Sequence, residues 1–157
     1  METEYEAKFL NVDKDEIRAR LKAAGATLEK PEATFRRWVF DLPKEKHSSE
    51  KYLRVRDEWG TIVMTWKEFT TGGIDNAKEI ELIVDSFDNA LEFLDQLGCV
   101  RRSYQESMRE LWHLNDVEIA IDTWPFYEPF IEIEGTSEEA VRNGAATLGF
   151  KWDTALF

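Results

Sequence analysis

The sequence has little cysteine, little histidine and a shortage of positive charge. Cys99 is the only cysteine in 157 residues, so no internal disulfide can form. With His47 and His113 it offers too few ligands for a structural zinc site or a Cys–His nucleophile. Lysine and arginine number 20 against 32 acidic residues, a formal net charge of -12. This balance argues against general binding to nucleic acids or anionic membranes, and leaves room only for a basic pocket inside an acidic shell.

Long apolar runs are also missing. No stretch is long and apolar enough to span a membrane, and the acidic start of the chain lacks the basic-then-apolar order of a signal peptide. A cytoplasmic protein without membrane contacts is therefore expected. The length predicts a single domain over residues 1–157, and 43% hydrophobic content is enough to bury a sizeable core.

Helical periodicity and strand alternation divide the chain into clear segments. Helices are predicted over 13–24, 86–97 and 137–147, with Asp13, Ser86 and Ser137 as their N-caps. Strands are predicted over 3–10, 34–41, 51–57, 61–69, 78–84, 99–114, 117–124 and 129–135. A strand-rich order with a few helices predicts an α+β fold with a mainly antiparallel sheet.

Nearly every predicted strand is apolar on one face and charged on the other. A solvated sheet face is the ordinary explanation of such alternation. A solvated face does not explain why like charges are grouped on the same strand. Like charges that lie opposite one another across strands repel, so a solvated face gains nothing from this grouping. The sorted pairs are Glu-x-Glu at 4/6, 79/81 and 132/134, and Arg-x-Arg at 54/56.

An eight-stranded barrel with its charged faces inward explains the sorting better. Such a barrel has room for side chains or one small ligand. Clustered carboxylates inside it would require a hard divalent cation, since Mg²⁺ and Mn²⁺ prefer oxygen ligands. Arginine and lysine facing the same space would bind an oxyanion such as phosphate. The pattern therefore predicts a polyphosphate site.

The motifs in their order resemble the CYTH family, the triphosphate tunnel metalloenzymes. They are EYEAK, WVFD, YLRVRD, MTWKE, KEIEL and IAIDTWPFYEPFIEIEG, and the resemblance runs from residue 3 to about 152. It implies an eight-stranded antiparallel β-barrel, a tunnel with a polar charged interior and flanking helices. It also implies a triphosphate-containing small molecule as the partner and Mg²⁺ or Mn²⁺ as the cofactor.

The resemblance further implies a role for each matching residue. The metal ligands would be Glu4, Glu6, Glu132 and Glu134. The phosphate-binding residues would be Lys8, Arg54, Arg56, Lys67 and Arg109. The catalytic candidates are Lys67, Glu81 and Asp122. An alternative role for Glu81 and Asp122, shared by Glu79, is to bind the metal or to orient the basic groups.

Two positions depart from the family pattern. SMRELW has Ser107 where the family usually carries the lysine of K-x-R, and Arg101 or Arg102 could compensate. Lys151 is a poor match to a late family lysine.

The remaining conspicuous residues are assigned to ordinary positions. We predict surface positions for Arg36 and Arg37, of which only one can face inward, and for the two histidines. Packing is predicted for the tryptophans at 38, 66, 112 and 124. A less favoured alternative has Trp124, Phe126 or Tyr127 stacking on a base or thiazole ring near a tunnel mouth.

Four functions fit these residues. The favoured one is a metal-dependent hydrolase of inorganic, thiamine or nucleoside triphosphate, because hydrolysis needs only a grip on the triphosphate. A class IV adenylate cyclase of the same family would also need an adenine pocket, for which no motif is visible. The third candidate is a non-catalytic polyphosphate-binding module, which Ser107 supports because the family usually has a lysine there. The fourth candidate is a structural domain with a solvated charged face. A monomer and a homodimer are both open.

Overall fold

The structure is a computed structural model that describes residues 2–70 and 72–157. None of the helices in these ranges is long and apolar enough to cross a membrane. The strands are β1 (Glu2–Phe9), β2 (Thr27–Asp41), β3 (Lys51–Glu58), β4 (Thr61–Phe69), β5 (Ala77–Val84), β6 (Val100–Leu114), β7 (Val117–Thr123) and β8 (Phe130–Gly135). The helices are α1 (Lys14–Ala23), α2 (Phe87–Gln96) and α3 (Glu138–Thr147), with short 3₁₀ turns at Lys44–Lys46 and Trp152–Thr154.

The predicted helices are confirmed together with their caps. The side chains of Asp13, Ser86 and Ser137 each accept a hydrogen bond from a backbone N–H three residues later. The strands are confirmed to within about two residues, except that β2 begins at Thr27 instead of 34. The residues at 27–33 are mostly exposed and show no alternation, so the sequence pattern missed this part of the strand.

The strands follow the hydrogen-bonded order β1-β5-β4-β3-β2-β6-β7-β8, which closes on itself as a barrel. The pairs β1–β8, β2–β3, β3–β4, β4–β5, β6–β7 and β7–β8 are all antiparallel. This confirms the predicted eight-stranded antiparallel β-barrel with helices, an α+β fold.

The residues group into two compact units. The first unit comprises Met1–Thr3, Thr34–Thr71 and Ala77–Glu106, and the second comprises Glu4–Ala33, Gly72–Asn76 and Ser107–Phe157. The prediction of one domain over residues 1–157 stays a prediction.

In the first unit, helix α2 covers the apolar face of the strands. Its buried residues Phe87, Leu91 and Leu94 form one cluster with Phe40 and Val55. The charged face of these strands therefore lies on the side away from the helix, because side chains alternate between the two faces of a strand.

In the second unit, α1 and α3 cover the apolar face in the same way. Ile17 of α1 and Val141 of α3 pack with Ile119 of β7 and Ile133 of β8. A Cβ built at Gly144 would lie 2.9 Å from the side chain of Val117, so α3 approaches β7 too closely for a larger residue. The carboxylates of β7 and β8 thus alternate with residues buried under two helices.

Glu110 is a buried carboxylate on the helix-covered side of the second unit. The guanidinium of Arg18 donates to it at 2.7–3.2 Å, and the indole N–H of Trp112 donates at 2.6 Å. Burial alone would raise the pKa of Glu110, but the hydrogen bonds from Arg18 and Trp112 outweigh it and lower the pKa. The ion pair therefore fastens α1 to β6.

We expect Glu110→Gln to lower the free energy of unfolding by about 1–3 kcal/mol at neutral pH, because the partly buried Arg18 and the buried indole of Trp112 lose a charged acceptor. Since the folded-state pKa is depressed, the stabilisation is present above the unfolded-state pKa and is lost as the pH falls through the folded-state pKa. Urea denaturation at a series of pH values should show a gap between the two proteins at neutral pH that closes as the pH falls through the folded-state pKa of Glu110. A gap that stays the same size down to acidic pH would contradict this assignment.

Candidate active site

The charged face of β4 in the first unit is its buried face. Thr65 is 0% exposed and Lys67 is 8% exposed. Met64 and Trp66, on the apolar face, are only half-buried. Because Lys67 is shielded from water, the solvated-face explanation is wrong for this part of the sheet.

The strand register of the first unit places cations beside carboxylates across the sheet. Lys67 lies opposite Glu79, and its ammonium is 2.7 Å from a carboxylate oxygen. Arg54 Nη2 donates to Thr65 Oγ1 at 3.2 Å, and the Thr65 hydroxyl donates to Glu81 at 3.0 Å. Thr65 thus holds Arg54 and Glu81 in one hydrogen-bonded row.

Two arginines face each other in the same unit. Arg37 lies directly opposite Arg56, and the two are 6% and 8% exposed. The surface prediction for Arg37 is therefore wrong, whereas that for Arg36, exposed and paired with Asp57, is confirmed. Like charges directly opposite one another repel, and the carboxylate of Glu58, 2.5 Å from Nε of Arg56, offsets part of this repulsion.

Sequence reasoning missed Arg37 because its strand is rich in apolar residues on both faces. Phe35, Val39 and Phe40 are all buried, although Phe40 has the opposite parity. Alternation therefore could not tell which of two adjacent arginines points into the site. Only the register with Arg56 decides this.

The second unit gathers most of the predicted carboxylates on the charged face of β1, β8 and β7. Glu6 lies opposite Glu134, and Lys8 lies opposite Glu132. The Lys8 ammonium contacts Glu6 and is 3.5 Å from Glu132. A cation already stands between two of the four predicted metal ligands.

Arg109 is the second cation of this cluster. Its guanidinium donates to both oxygens of Asp122, at 2.8 and 2.6 Å, and also to Glu132. Burial alone would lower the pKa of Arg109, but the charges of Glu132 and Asp122 outweigh it and hold the pKa well above its ordinary value. Asp122 is 1% exposed, whereas the Arg109 side chain is 20% exposed, so water is excluded mainly from the carboxylate of this ion pair.

The donor chemistry of the second unit fits a hard divalent cation. Glu4 and Glu6 are half-buried and Glu132 is partly buried, whereas Glu134 is exposed. All four offer carboxylate oxygens, the ligands that Mg²⁺ and Mn²⁺ prefer. Within residues 2–70 and 72–157 no group of three acidic, histidine or cysteine side chains is arranged to hold a metal as it stands. Lys8 and Arg109 take up carboxylate oxygens in this arrangement.

The structure also places the residues that depart from the family pattern and the arginines that could compensate for them. Ser107 is buried, with 3% of its surface exposed. Arg101 pairs with Asp95 at 2.7 Å, and Arg102 pairs with Asp41 at 3.0 Å, so carboxylates already engage both. Lys151 is exposed. Both histidines are exposed too, as predicted.

The comparisons with known proteins identify the family of the chain. The sequence profile of the CYTH domain matches residues 2–152. The chain belongs to the CYTH domain family. This confirms the predicted resemblance to a family of metal-dependent enzymes that act on triphosphate substrates.

Three known proteins illustrate the similarity. A Methanocaldococcus jannaschii protein whose name proposes an adenylate cyclase is 24% identical over 132 residues, covering 83% of this chain and 75% of its own length. The structure of a Pyrococcus horikoshii protein is 25% identical, with a TM-score of 0.83, covering 98% of this chain and 94% of that one. A Hippeastrum protein is 14% identical, with a TM-score of 0.64, over 96% of this chain and 89% of that one. It is described as a proposed adenylyl cyclase with a dominant triphosphatase activity.

Proposed function

We propose that this CYTH protein is a metal-dependent hydrolase of a triphosphate substrate. The observation that carries the proposal is the burial of like charges directly opposite one another at Arg37 and Arg56. The two opposed arginines, each less than a tenth exposed, concentrate positive charge in a place largely shielded from water, where Glu58 already pairs with Arg56. A triphosphate offers oxygens to both guanidinium groups at once.

The basic and acidic residues have different roles in this proposal. The residues assigned to phosphate oxygens and to the charge on the transferred phosphoryl group are Arg37, Arg54, Arg56 and Lys67. Lys8 and Arg109 are likewise assigned to phosphate oxygens. The residues that would hold the metal are Glu4, Glu6, Glu132 and Glu134. When bound, Mg²⁺ or Mn²⁺ supplies Lewis-acid polarisation of phosphoryl oxygens.

The remaining acids position the basic groups. Asp122 holds Arg109 by two hydrogen bonds, and Glu81 holds Arg54 through Thr65. Lys67 is the cation we assign to the phosphoryl group in transfer, and Glu79 keeps its ammonium in place. A cytoplasmic location and a monomeric or homodimeric state stay predictions.

Hydrolysis is favoured over cyclisation, because it requires no pocket that folds a nucleotide back on itself. The dominant triphosphatase activity described for the Hippeastrum protein supports this choice. The test is to incubate the chain with inorganic triphosphate, thiamine triphosphate and ATP, each with Mg²⁺ or Mn²⁺. We expect orthophosphate release that EDTA abolishes. Cyclic AMP would support the cyclase instead, and binding without any product would support a polyphosphate-binding module.

The adjacent arginines of β2 provide a matched test of the phosphate site. We expect Arg37→Met to weaken inorganic triphosphate binding by about 10–100-fold, the size of a lost charge-assisted hydrogen bond. Arg36→Met removes the same charge from an exposed position, so it should leave the affinity nearly unchanged. Titration calorimetry measures both. Equal effects of the two substitutions would mean that net charge, and not a built site, attracts the ligand.

A further inference from the structure

We propose that Leu156 is a positioning residue for Lys8, and that it acts through two backbone hydrogen bonds. Leu156 belongs to the segment that follows α3, outside the eight strands of the barrel. The inference rests on the proposed triphosphate hydrolysis, in which Lys8 is assigned to phosphate oxygens. It adds to that site a residue whose contribution depends on its main chain and not on its side chain.

The backbone of Lys8 is held by Leu156 on one edge of β1. The N–H of Lys8 donates to the carbonyl of Leu156 at 2.9 Å, and the N–H of Leu156 donates to the carbonyl of Lys8 at 3.0 Å. The two residues form an isolated antiparallel bridge. On the other edge of β1, Lys8 lies opposite Glu132 of β8. Because antiparallel residue pairs alternate between hydrogen-bonded and non-hydrogen-bonded types, this pair is of the type that exchanges no backbone hydrogen bonds.

The bridge lies where the direction of the Lys8 side chain matters for the site. The ammonium of Lys8 contacts Glu6 and is 3.5 Å from Glu132. β1 ends one residue later, at Phe9, and the chain then leaves the strand conformation, since φ of Asn11 is 56°. The end of a strand opens more easily than its middle. Two hydrogen bonds from Leu156 therefore restrict how far the ammonium can move from the two carboxylates.

The segment that carries Leu156 is itself anchored to the second unit. Trp152 and Ala155 pack against the core cluster of this unit. The guanidinium of Arg142, on α3, lies over the ring of Trp152 at 4.1 Å, and the ring of Phe157 contacts Trp152 at 5.5 Å. The side chain of Leu156, in contrast, is 49% exposed. Leu156 thus contributes little to packing, whereas its backbone is fixed on both sides.

The neighbouring site residue on the same face of β1 is supported in a similar way. The N–H of Glu6 donates to the carbonyl of Ile74 at 3.1 Å, and the side chain of Ile74 is buried in the core of the second unit. Ile74, like Leu156, lies outside the eight strands. Glu6 and Lys8 therefore each have a backbone partner from an anchored segment, and such supports determine how precisely the side chains of a site are held.

The test removes one hydrogen bond of the bridge without removing a side chain from the site. Leu156→Pro lacks the N–H that donates to Lys8. Ala155, with φ of -69° and ψ of 143°, already has an extended conformation compatible with a following proline, so the fold should be retained. We expect Leu156→Pro to raise the Kd for inorganic triphosphate by about tenfold, the lower end of the loss of a charge-assisted hydrogen bond. Leu156→Ala keeps both backbone groups and should retain the wild-type affinity. Titration calorimetry of the full chain in EDTA, where the proposed metal-dependent hydrolysis is prevented, measures each Kd.

A double-mutant cycle shows whether Leu156 acts through Lys8. Lys8→Met has no ammonium to position, so adding Leu156→Pro to it should cause no further loss of affinity. Equal losses in the wild-type and Lys8→Met backgrounds would give Leu156 a general structural role and overturn the inference. A wild-type affinity in Leu156→Pro would overturn it too, and both results leave the triphosphate function standing. Failure of the wild-type chain to bind inorganic triphosphate overturns the proposed function, and this inference with it.

Discussion

Replacing Arg109 by leucine is expected to lower the free energy of unfolding by about 3–5 kcal/mol. The guanidinium now donates to both oxygens of Asp122 and to Glu132. Since Asp122 is 1% exposed, the substitution would leave a carboxylate buried without its charge partner. A buried charge that loses its counter-ion costs far more than an exposed pair, because water cannot replace the lost hydrogen bonds.

A double substitution distinguishes this cause from a general packing defect. Arg109→Leu with Asp122→Asn removes the uncompensated charge, so it should recover much of the loss in a urea denaturation cycle. The matched control is Arg142→Leu, which breaks an exposed pair with Glu138 on α3 and should cost less than about 1 kcal/mol. If Arg109→Leu costs no more than this control, Asp122 is reached by water in solution and the buried pair is wrongly assigned.

Glu132→Gln is expected to lower kcat/KM for the hydrolysed triphosphate by about 100-fold or more. Loss of an outer partner of a metal ligand costs about 10–100-fold, and loss of the ligand itself should cost at least as much. Glu132 also contacts Lys8 and Arg109, so its neutral analogue alters the balance of charge around both cations. The amide has the shape of the carboxylate, and the fold should be retained.

The measurement is the initial rate of orthophosphate release at several Mg²⁺ and Mn²⁺ concentrations. Glu29→Gln, at an exposed position of β2, is the matched control and should behave as the wild type. A Glu132→Gln protein with a wild-type rate and metal dependence would remove Glu132 from the metal site. A loss that added metal partly restores would strengthen the assignment.

Much of the fold could be predicted from local patterns. The caps at Asp13, Ser86 and Ser137 mark the helices, since each offers an oxygen to the first free N–H groups. The part of β2 at 27–33 could not be predicted, because neither of its faces is buried. Its sequence therefore does not alternate between apolar and polar residues.

The candidate site was predictable wherever the charges alternate cleanly with apolar residues. Glu132 and Asp122 fall on the face expected of them, opposite Lys8 and Arg109. The inward position of Arg37 could not be predicted, because both faces of its strand are rich in apolar residues. Its pairing with Arg56 is what shows that Arg37, and not Arg36, points into the site.

The sequence alone was enough to give the alternation of the strands other than β2, the sorting of like charges and the ends of the helices, because these depend on neighbours a few residues apart. It could not determine which face of a strand is shielded, since a period of two describes both faces equally well. Tertiary structure decided this by laying α2 on one set of apolar faces and α1 and α3 on the other. Within each unit, cross-strand register then set the partners on the charged face: Lys67 with Glu79 in the first unit, and Arg109 with Asp122 in the second.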